Sequence, residues 1–187
     1  MLICNNRKGF TLIEVIVVAA IIAILAGILV PMIFKQIDES KISRAQADCK
    51  SISSAIVVFR KDVGKWPNYT APATAGITLL RGSEGAMPDL AAAGYDQTTV
   101  NNIENHLYSD DNAAYGTLWK GPYIAKIGQD PWGNAYIIDA KSFFVVDAAG
   151  KEVATPVWVL SAGPDGKIDT PAPAESLAGD DIGIRIK

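Results

Sequence analysis

Cysteine is all but missing from this chain: Cys4 and Cys49 are its only two. Cys4 lies ahead of the one plausible processing point, Gly9, so a chain cut there keeps Cys49 alone and forms no intramolecular disulfide. Histidine is scarcer still, with His106 the single example. No cysteine or carboxylate constellation is set around it, and it reads as a surface or helix-face residue, not a ligand or base. No glycine-rich phosphate loop is present, serines and threonines are scattered, and Cys49 and His106 stand far apart in sequence. An enzymatic reading has nothing to rest on. A broad positive balance is lacking as well. The 17 basic residues face 20 acidic ones, and removing Arg7 and Lys8 with a leader leaves 15 against 20, a net of −5. Such a body offers no general attraction for nucleic acid, and none is expected as a partner.

Charge is also absent locally, and that absence is informative. Val15 to Phe34 is a run of twenty uncharged residues, enough to cross a hydrocarbon layer of ~30 Å at about 1.5 Å per helical residue. Glu14 sits at the lip of that run. A carboxylate at such a depth is costly when unpaired, so Glu14 is a functional-site candidate whose partner must be found. In an ordinary secretory signal a small-residue cleavage site follows the apolar segment; here Gly9 precedes it. Cutting after Gly9 removes a basic leader and keeps the apolar helix. Arg7 and Lys8 hold the leader on the cytoplasmic side and send the C-terminal bulk across. The remaining length suits one small domain.

Gly9-Phe10-Thr11-Leu12-Ile13-Glu14, the short basic leader before it and Pro31 inside the apolar run resemble the class III signal peptides of type IV pilins and type II secretion pseudopilins. The resemblance implies cleavage between Gly9 and Phe10 by a membrane prepilin peptidase, N-methylation of Phe10, and a role for Glu14 in assembly. It divides the chain into a leader (1–9), a transmembrane and filament-core helix (10–34) and a globular head (35–187) that includes the amphipathic half of the helix.

Beyond the membrane the helical signal continues. Ile42, Ala45, Cys49, Ile52, Ile56 and Phe59 recur at spacings of three and four, one stripe of an amphipathic helix that needs a domain to lie on. A helix from Phe10 to Asp62 is expected, with bending or local melting between Gly27 and Pro31. Gly64 is placed to end it in a left-handed conformation, and Trp66-Pro67 forces extended chain beyond. Ala19, Ala20, Ala23, Ala26 and Gly27 give the membrane helix small sides that suit packing against copies of itself. Short helices are expected around Ile77 to Leu80 and from Thr99 to Leu107. Ala135 to Ile138, Phe143 to Val146 and Val157 to Leu160 read as strands of an antiparallel meander separated by turns at Asp139-Ala140-Lys141 and Ala149-Gly150-Lys151. Ile182, Ile184 and Ile186 alternate like an edge strand. The fold class is therefore α+β: a long N-terminal helix packed on a small antiparallel sheet, pilin-like. Asn68-Tyr69-Thr70 fits a glycosylation sequon but carries little weight.

The head has landmarks of its own. Val63-Gly64-Lys65-Trp66-Pro67, Trp119-Lys120-Gly121-Pro122-Tyr123 and Asp130-Pro131-Trp132-Gly133-Asn134-Ala135-Tyr136 resemble, in order, those of the major pseudopilins of type II secretion. Physically they are sharp turns bearing large apolar rings that belong to a core. Near the C-terminus Asp165 and Asp169, with Asp180 and Asp181 returning nearby, gather hard oxygen ligands on glycine-rich chain, as calcium prefers. The resemblance implies calcium in this loop and maps Ser161, Asp165 and Asp181 onto its landmarks. Thr170 to Ala178 is rich in Pro and Ala where the family loop is richer in Gly.

What the resemblance implies about function is a structural subunit. It would be held in the bacterial inner membrane with its head in the periplasm, then packed into a helical homopolymer with minor pseudopilins and other secretion-system components, driving protein export. A surface type IV pilus subunit for adhesion, motility or DNA uptake is the alternative. Many such pilins close a C-terminal disulfide loop, which this chain cannot form.

Overall fold

The computed structural model describes residues 9–71, 74–145 and 153–187. The leader with Cys4, Arg7 and Lys8, the strand end expected at Val146 and the turn at Ala149-Gly150-Lys151 lie outside the described residues. The chain divides into two compact units, Met1–Ser40 and Lys41–Lys187.

Helix α1 runs over Leu12–Val63, 52 residues. Its first part carries exposed Val, Ile and Leu side chains on every side. The mean hydropathy reaches 3.0 over the most apolar 18 residues, long and apolar enough to cross a membrane. A helix apolar all round is solvated by something other than water. The expected melting near Pro31 does not occur, for α1 is unbroken through Gly27 and Pro31. Proline removes one amide donor, and the turns on either side of it keep theirs.

In the second unit α1 becomes one-sided. Ala45, Cys49, Ile52, Ile56, Phe59 and Val63 are buried at spacings of three and four, whereas Ile42, expected on the same stripe, is exposed. Gly64 ends the helix at φ 75°, its amide donating to the Arg60 carbonyl at 2.9 Å. Only glycine enters that region without a steric penalty.

Two short strands follow, β1 (Tyr69–Ala71) and β2 (Thr74–Ala75), paired with each other. The main sheet has five strands, β3 (Leu79–Arg81), β4 (Val100–Asn102), β5 (Ile137–Asp139), β6 (Trp158–Ser161) and β7 (Ile182–Arg185), in the order β4-β3-β5-β6-β7. The sheet is mixed: β3 and β4 are parallel and the other neighbours antiparallel. Leu80, Ile138, Val159 and Ile184 align across four strands and pack with the α1 stripe in one core. Leu79, Ile137 and Leu160 point the other way, into a second core with Leu90, Ala93, Tyr95 and Ile168. Both faces are covered, which is why these strands read as apolar doublets and not as an alternation.

Several sequence expectations change. The segment Ile77 to Leu80 leads into β3 instead of a helix, and Thr99 to Leu107 divides into β4 and a single turn, α2 (Glu104–Leu107). Val100 faces outward while Ile103 and Leu107 are buried. Phe143 lies in a 3₁₀ turn over Lys141–Phe144. The Asp139 carboxylate starts it by accepting from the Lys141 amide at 3.2 Å and from the Ser142 hydroxyl. The edge strand at the C-terminus is present as β7, and the Asn68 of the sequon is buried at 4% exposure.

His106 is not a surface residue. It is 3% exposed, with Nδ1 paired to the Tyr115 hydroxyl at 2.8 Å and Nε2 buried with no hydrogen-bond partner among the described residues. Burial holds its imidazole down to about 4, against a weak opposing pull from the Asp111 carboxylate. The unfolded chain binds the proton near 6.5. Stability is therefore full above pH 6.5 and is lost as the pH falls towards 4, by an amount on the order of 3 kcal/mol. The expected result is an imidazole titration near pH 4 by NMR in the folded protein, and a His106→Gln variant whose melting temperature falls less between pH 6.5 and 4. An imidazole titrating near 6.5 would refute it.

Candidate functional sites: the helix start and the acidic loop

Thr11 is the last residue before α1 and Glu14 is its third helical residue. The Thr11 amide donates to Glu14 Oε2 at 2.8 Å, the Thr11 hydroxyl donates to the same oxygen at 2.7 Å, and the Glu14 amide reaches Thr11 Oγ1 at 3.4 Å. This is a capping box, in which a hydroxyl residue and a glutamate three positions on satisfy each other's amides at a helix start. The carboxylate at the membrane lip thus has a partner within its own turn. The signal was in the sequence as Thr-x-x-Glu ahead of an apolar run. Only Oε2 is engaged; Oε1 bears no hydrogen bond among the described residues. Gly9 and Phe10 stand outside the helix, both exposed, with Phe10 at 89%.

The second site is the chain between β6 and β7. Gly163, Gly166 and Gly179 adopt φ values of 64°, 74° and 62°, conformations that turn the chain back on itself. The turns bring Asp165, Asp169 and Asp180 together, one carboxylate oxygen of each within 4.8 Å of the others, all exposed. A side chain at Gly179 would run into the Asp169 carboxylate, and one at Gly163 into the Asp180 carbonyl. The Asp165 amide donates to Asp180 Oδ2 at 3.3 Å.

Ser161 and Asp181 are not part of that cluster. Ser161, fully buried, donates from Oγ to Asp130 Oδ2 at 2.7 Å. Asp181 Oδ2 accepts from the amides of Asp169 at 2.9 Å and Thr170 at 2.7 Å. Its Oδ1 is buried with no hydrogen-bond partner among the described residues. Burial raises the Asp181 carboxyl above its ordinary value, and the Asp169 charge adds to the rise, against the hydrogen bonds from Thr170 and Asp169. Both residues brace the loop from inside. Asp130 is the support that sequence reasoning passed over as a landmark. It is 2% exposed, and its Oδ1 also accepts from the Trp132 and Asn134 amides at 3.0 and 2.7 Å. The bonds Asp89 N–H to Gly166 O (3.0 Å) and Ile168 N–H to Asp89 O (2.8 Å) pin the loop to the second core.

The landmark aromatics are core and scaffold. Tyr136 is buried with its hydroxyl on Asp48 at 2.8 Å. Trp119 and Tyr123 pack against the first core, and the Trp119 indole donates to the His106 carbonyl at 2.8 Å. Cys49 is buried, and its thiol is pushed up to about 12, chiefly by burial, which makes it inert as a nucleophile.

Residues 4–30 match the prokaryotic N-terminal methylation motif. The chain is 28% identical over 166 residues, 89% of its length and 88% of the relative's, to the type II secretion system core protein G of Escherichia coli K12. It is 28% identical to the protein of that name in Pseudomonas aeruginosa over 71% of this chain and 72% of the relative, and 27% identical to that of Dickeya chrysanthemi over 89% and 83%. No solved structure matches significantly. The processing motif, the long helix on a small sheet and these relatives together support a pilin-like pseudopilin.

Proposed function

We propose that this chain is the structural subunit of a type II secretion pseudopilus. The observation that carries the reading is the coincidence of the methylation motif over residues 4–30 with similarity to core protein G along up to 89% of the chain. A membrane prepilin peptidase cuts between Gly9 and Phe10 and Phe10 is methylated. The apolar half of α1 holds the subunit in the inner membrane with the head in the periplasm. Subunits then join in a helical filament with minor pseudopilins and other secretion components. No catalytic step belongs to it. The surface-pilus reading has no observation in its favour, since the relatives named above are secretion proteins.

Processing supplies what Glu14 lacks. The α-amine released at Phe10 is a cation, and on a neighbouring subunit it can approach Glu14 Oε1, the oxygen the capping box leaves open. Pairing the two removes an unpaired charge from the membrane and sets the axial register of one copy on the next. Identical contacts that do not close give an open filament. Glu14→Ala is expected to abolish filaments while leaving membrane insertion intact, read as sheared polymer against membrane-fraction content. Normal filaments in that variant would sink the register argument.

Asp165, Asp169 and Asp180 fit a calcium ion by their chemistry. Three hard carboxylate oxygens within 4.8 Å of one another lie close to the spacing that one ion with ligand distances of about 2.3–2.6 Å requires. Bound there, calcium would cancel the mutual repulsion of the carboxylates and tie the Gly163 turn to the Gly179 turn. A saturating ion at 100 times its dissociation constant stabilises by about 2.7 kcal/mol. The melting temperature of the protein is expected to rise with calcium over chelator, and the rise to disappear in Asp169→Asn. An identical melting curve with and without calcium would remove the metal from this reading.

A further inference from the structure

Charge is divided unevenly along the head. Between residues 41 and 65 six basic side chains stand against two acidic ones, and between 66 and 187 eight stand against fifteen. Two of these six, Lys50 and Lys61, lie on the face of α1 turned away from the sheet. Ala47, Lys50, Ser54, Val57, Val58 and Lys61 are exposed there at helical spacing, the two valines at 50% and 49%. Among the described residues neither Lys50 nor Lys61 makes an ion pair. Asp48 is turned to Arg44 and Tyr136. The face is an apolar strip between two uncompensated ammonium groups.

A surface of opposite character lies in residues 108–118. Tyr108 is 55% and Leu118 49% exposed. Between them Asp110 accepts from the Tyr115 and Gly116 amides at 3.1 and 3.0 Å, which holds the loop in shape. Asp111 is exposed, bonded to the Ser109 hydroxyl at 2.7 Å and to no cation among the described residues. Glu84 is paired with Lys126, the half-buried Asp96 with Lys141 and Glu175 with Arg185, Asp89 accepts from the Ala91 amide, and Asp165, Asp169 and Asp180 cluster in the C-terminal loop; Asp111 is the exposed acid set between large exposed apolar side chains. One head therefore displays an apolar strip with free lysines and an apolar loop with a free carboxylate, two complementary surfaces on the same molecule. Such a pair generates a heterologous contact between copies.

We propose that the Lys50 to Lys61 face of one subunit docks on the 108–118 loop of a second copy of this chain, Val57 and Val58 against Tyr108 and Leu118, with lysine facing Asp111. The inference rests on the filament reading above and specifies which parts of the head meet. It is tested on the full-length chain assembled by its own secretion machinery, by the yield of sheared filaments and by disulfide trapping. Lys50→Glu combined with Lys61→Glu is expected to lower the yield about tenfold or more, because like charges then face each other. Adding Asp111→Lys is expected to restore most of it. All three side chains are exposed, so the melting temperature of the subunit is expected to stay nearly unchanged throughout. Val57→Cys with Tyr108→Cys is expected to give a ladder of cross-linked subunits in intact filaments. That ladder decides: intact filaments that give none overturn the proposal whatever the charge series shows. Filaments of normal yield from the double glutamate variant, with loss of binding to anionic lipid vesicles, would overturn it too and make the face a membrane surface. A wild-type chain that forms no filaments defeats the filament reading itself, which is a separate outcome.

Discussion

The packing of one helix stripe on one sheet face is the contact on which the rest of the head depends. Cys49, Ile52, Ile56, Phe59 and Val63 meet Leu80, Ile138 and Val159 in a single core. Each buried side chain of this size contributes ~1.5–3 kcal/mol by leaving water. The strands are only three or four residues long, too short to stand without a surface to cover. Phe59 then extends the contact to the loops. Its ring meets Tyr115 edge-on at 4.8 Å and Tyr123 at 5.5 Å, and Trp119 packs edge-on against Tyr123 at 5.8 Å. From Tyr108 to Tyr123 the chain has no strand, and edge-on contacts with the Phe59 ring help hold it in place.

That arrangement explains which parts of the fold were legible in the sequence. Helix α1 was, because its period persists over many turns, and its end was, because Gly64 is followed by Trp66-Pro67. The apolar doublets were ambiguous. Leu79-Leu80-Arg81 contains no period at all, and it becomes a strand through pairing with Ile137, Ile138 and Asp139, nearly sixty residues away. Phe143 looked like a strand by propensity, yet the Asp139 carboxylate captures the Lys141 amide and bends the chain first. A local hydrogen bond of that kind competes with the ladder before any partner strand arrives. His106 was misread for the opposite reason. Its burial comes from α2 and the Tyr115 loop closing over it, and a single polar residue gives no pattern to detect.

The candidate sites divide the same way. The acidic loop could be seen as a gathering of aspartates, but sequence does not separate those that converge from those that brace. Asp180 and Asp181 are adjacent and face opposite tasks, the first in the exposed cluster, the second buried with its oxygen on the Asp169 and Thr170 amides. Asp180 sits in the turn that Gly179 opens, whereas Asp181 stands at the point where the chain leaves that turn for β7, which begins at Ile182. Which of the two faces inward is fixed by the sheet, not by the aspartates.

At the helix start the same separation of tasks falls within one carboxylate. The amide that Thr11 offers to Glu14 belongs to the Phe10–Thr11 peptide bond, and the cleavage proposed at Gly9–Phe10 would break the bond before it. Such processing would leave the capping box intact while creating a cation one residue away. A carboxylate has room for several donors on its two oxygens, so Glu14 can keep its helix start closed through Oε2 and still offer Oε1 to a neighbour. The geometry of the offered oxygen is then set by the subunit before assembly begins. Thr11 is on this view a positioning residue: without it the Glu14 side chain is free to rotate, and the ordering that the capping box supplies in advance would have to be met at the moment two subunits join.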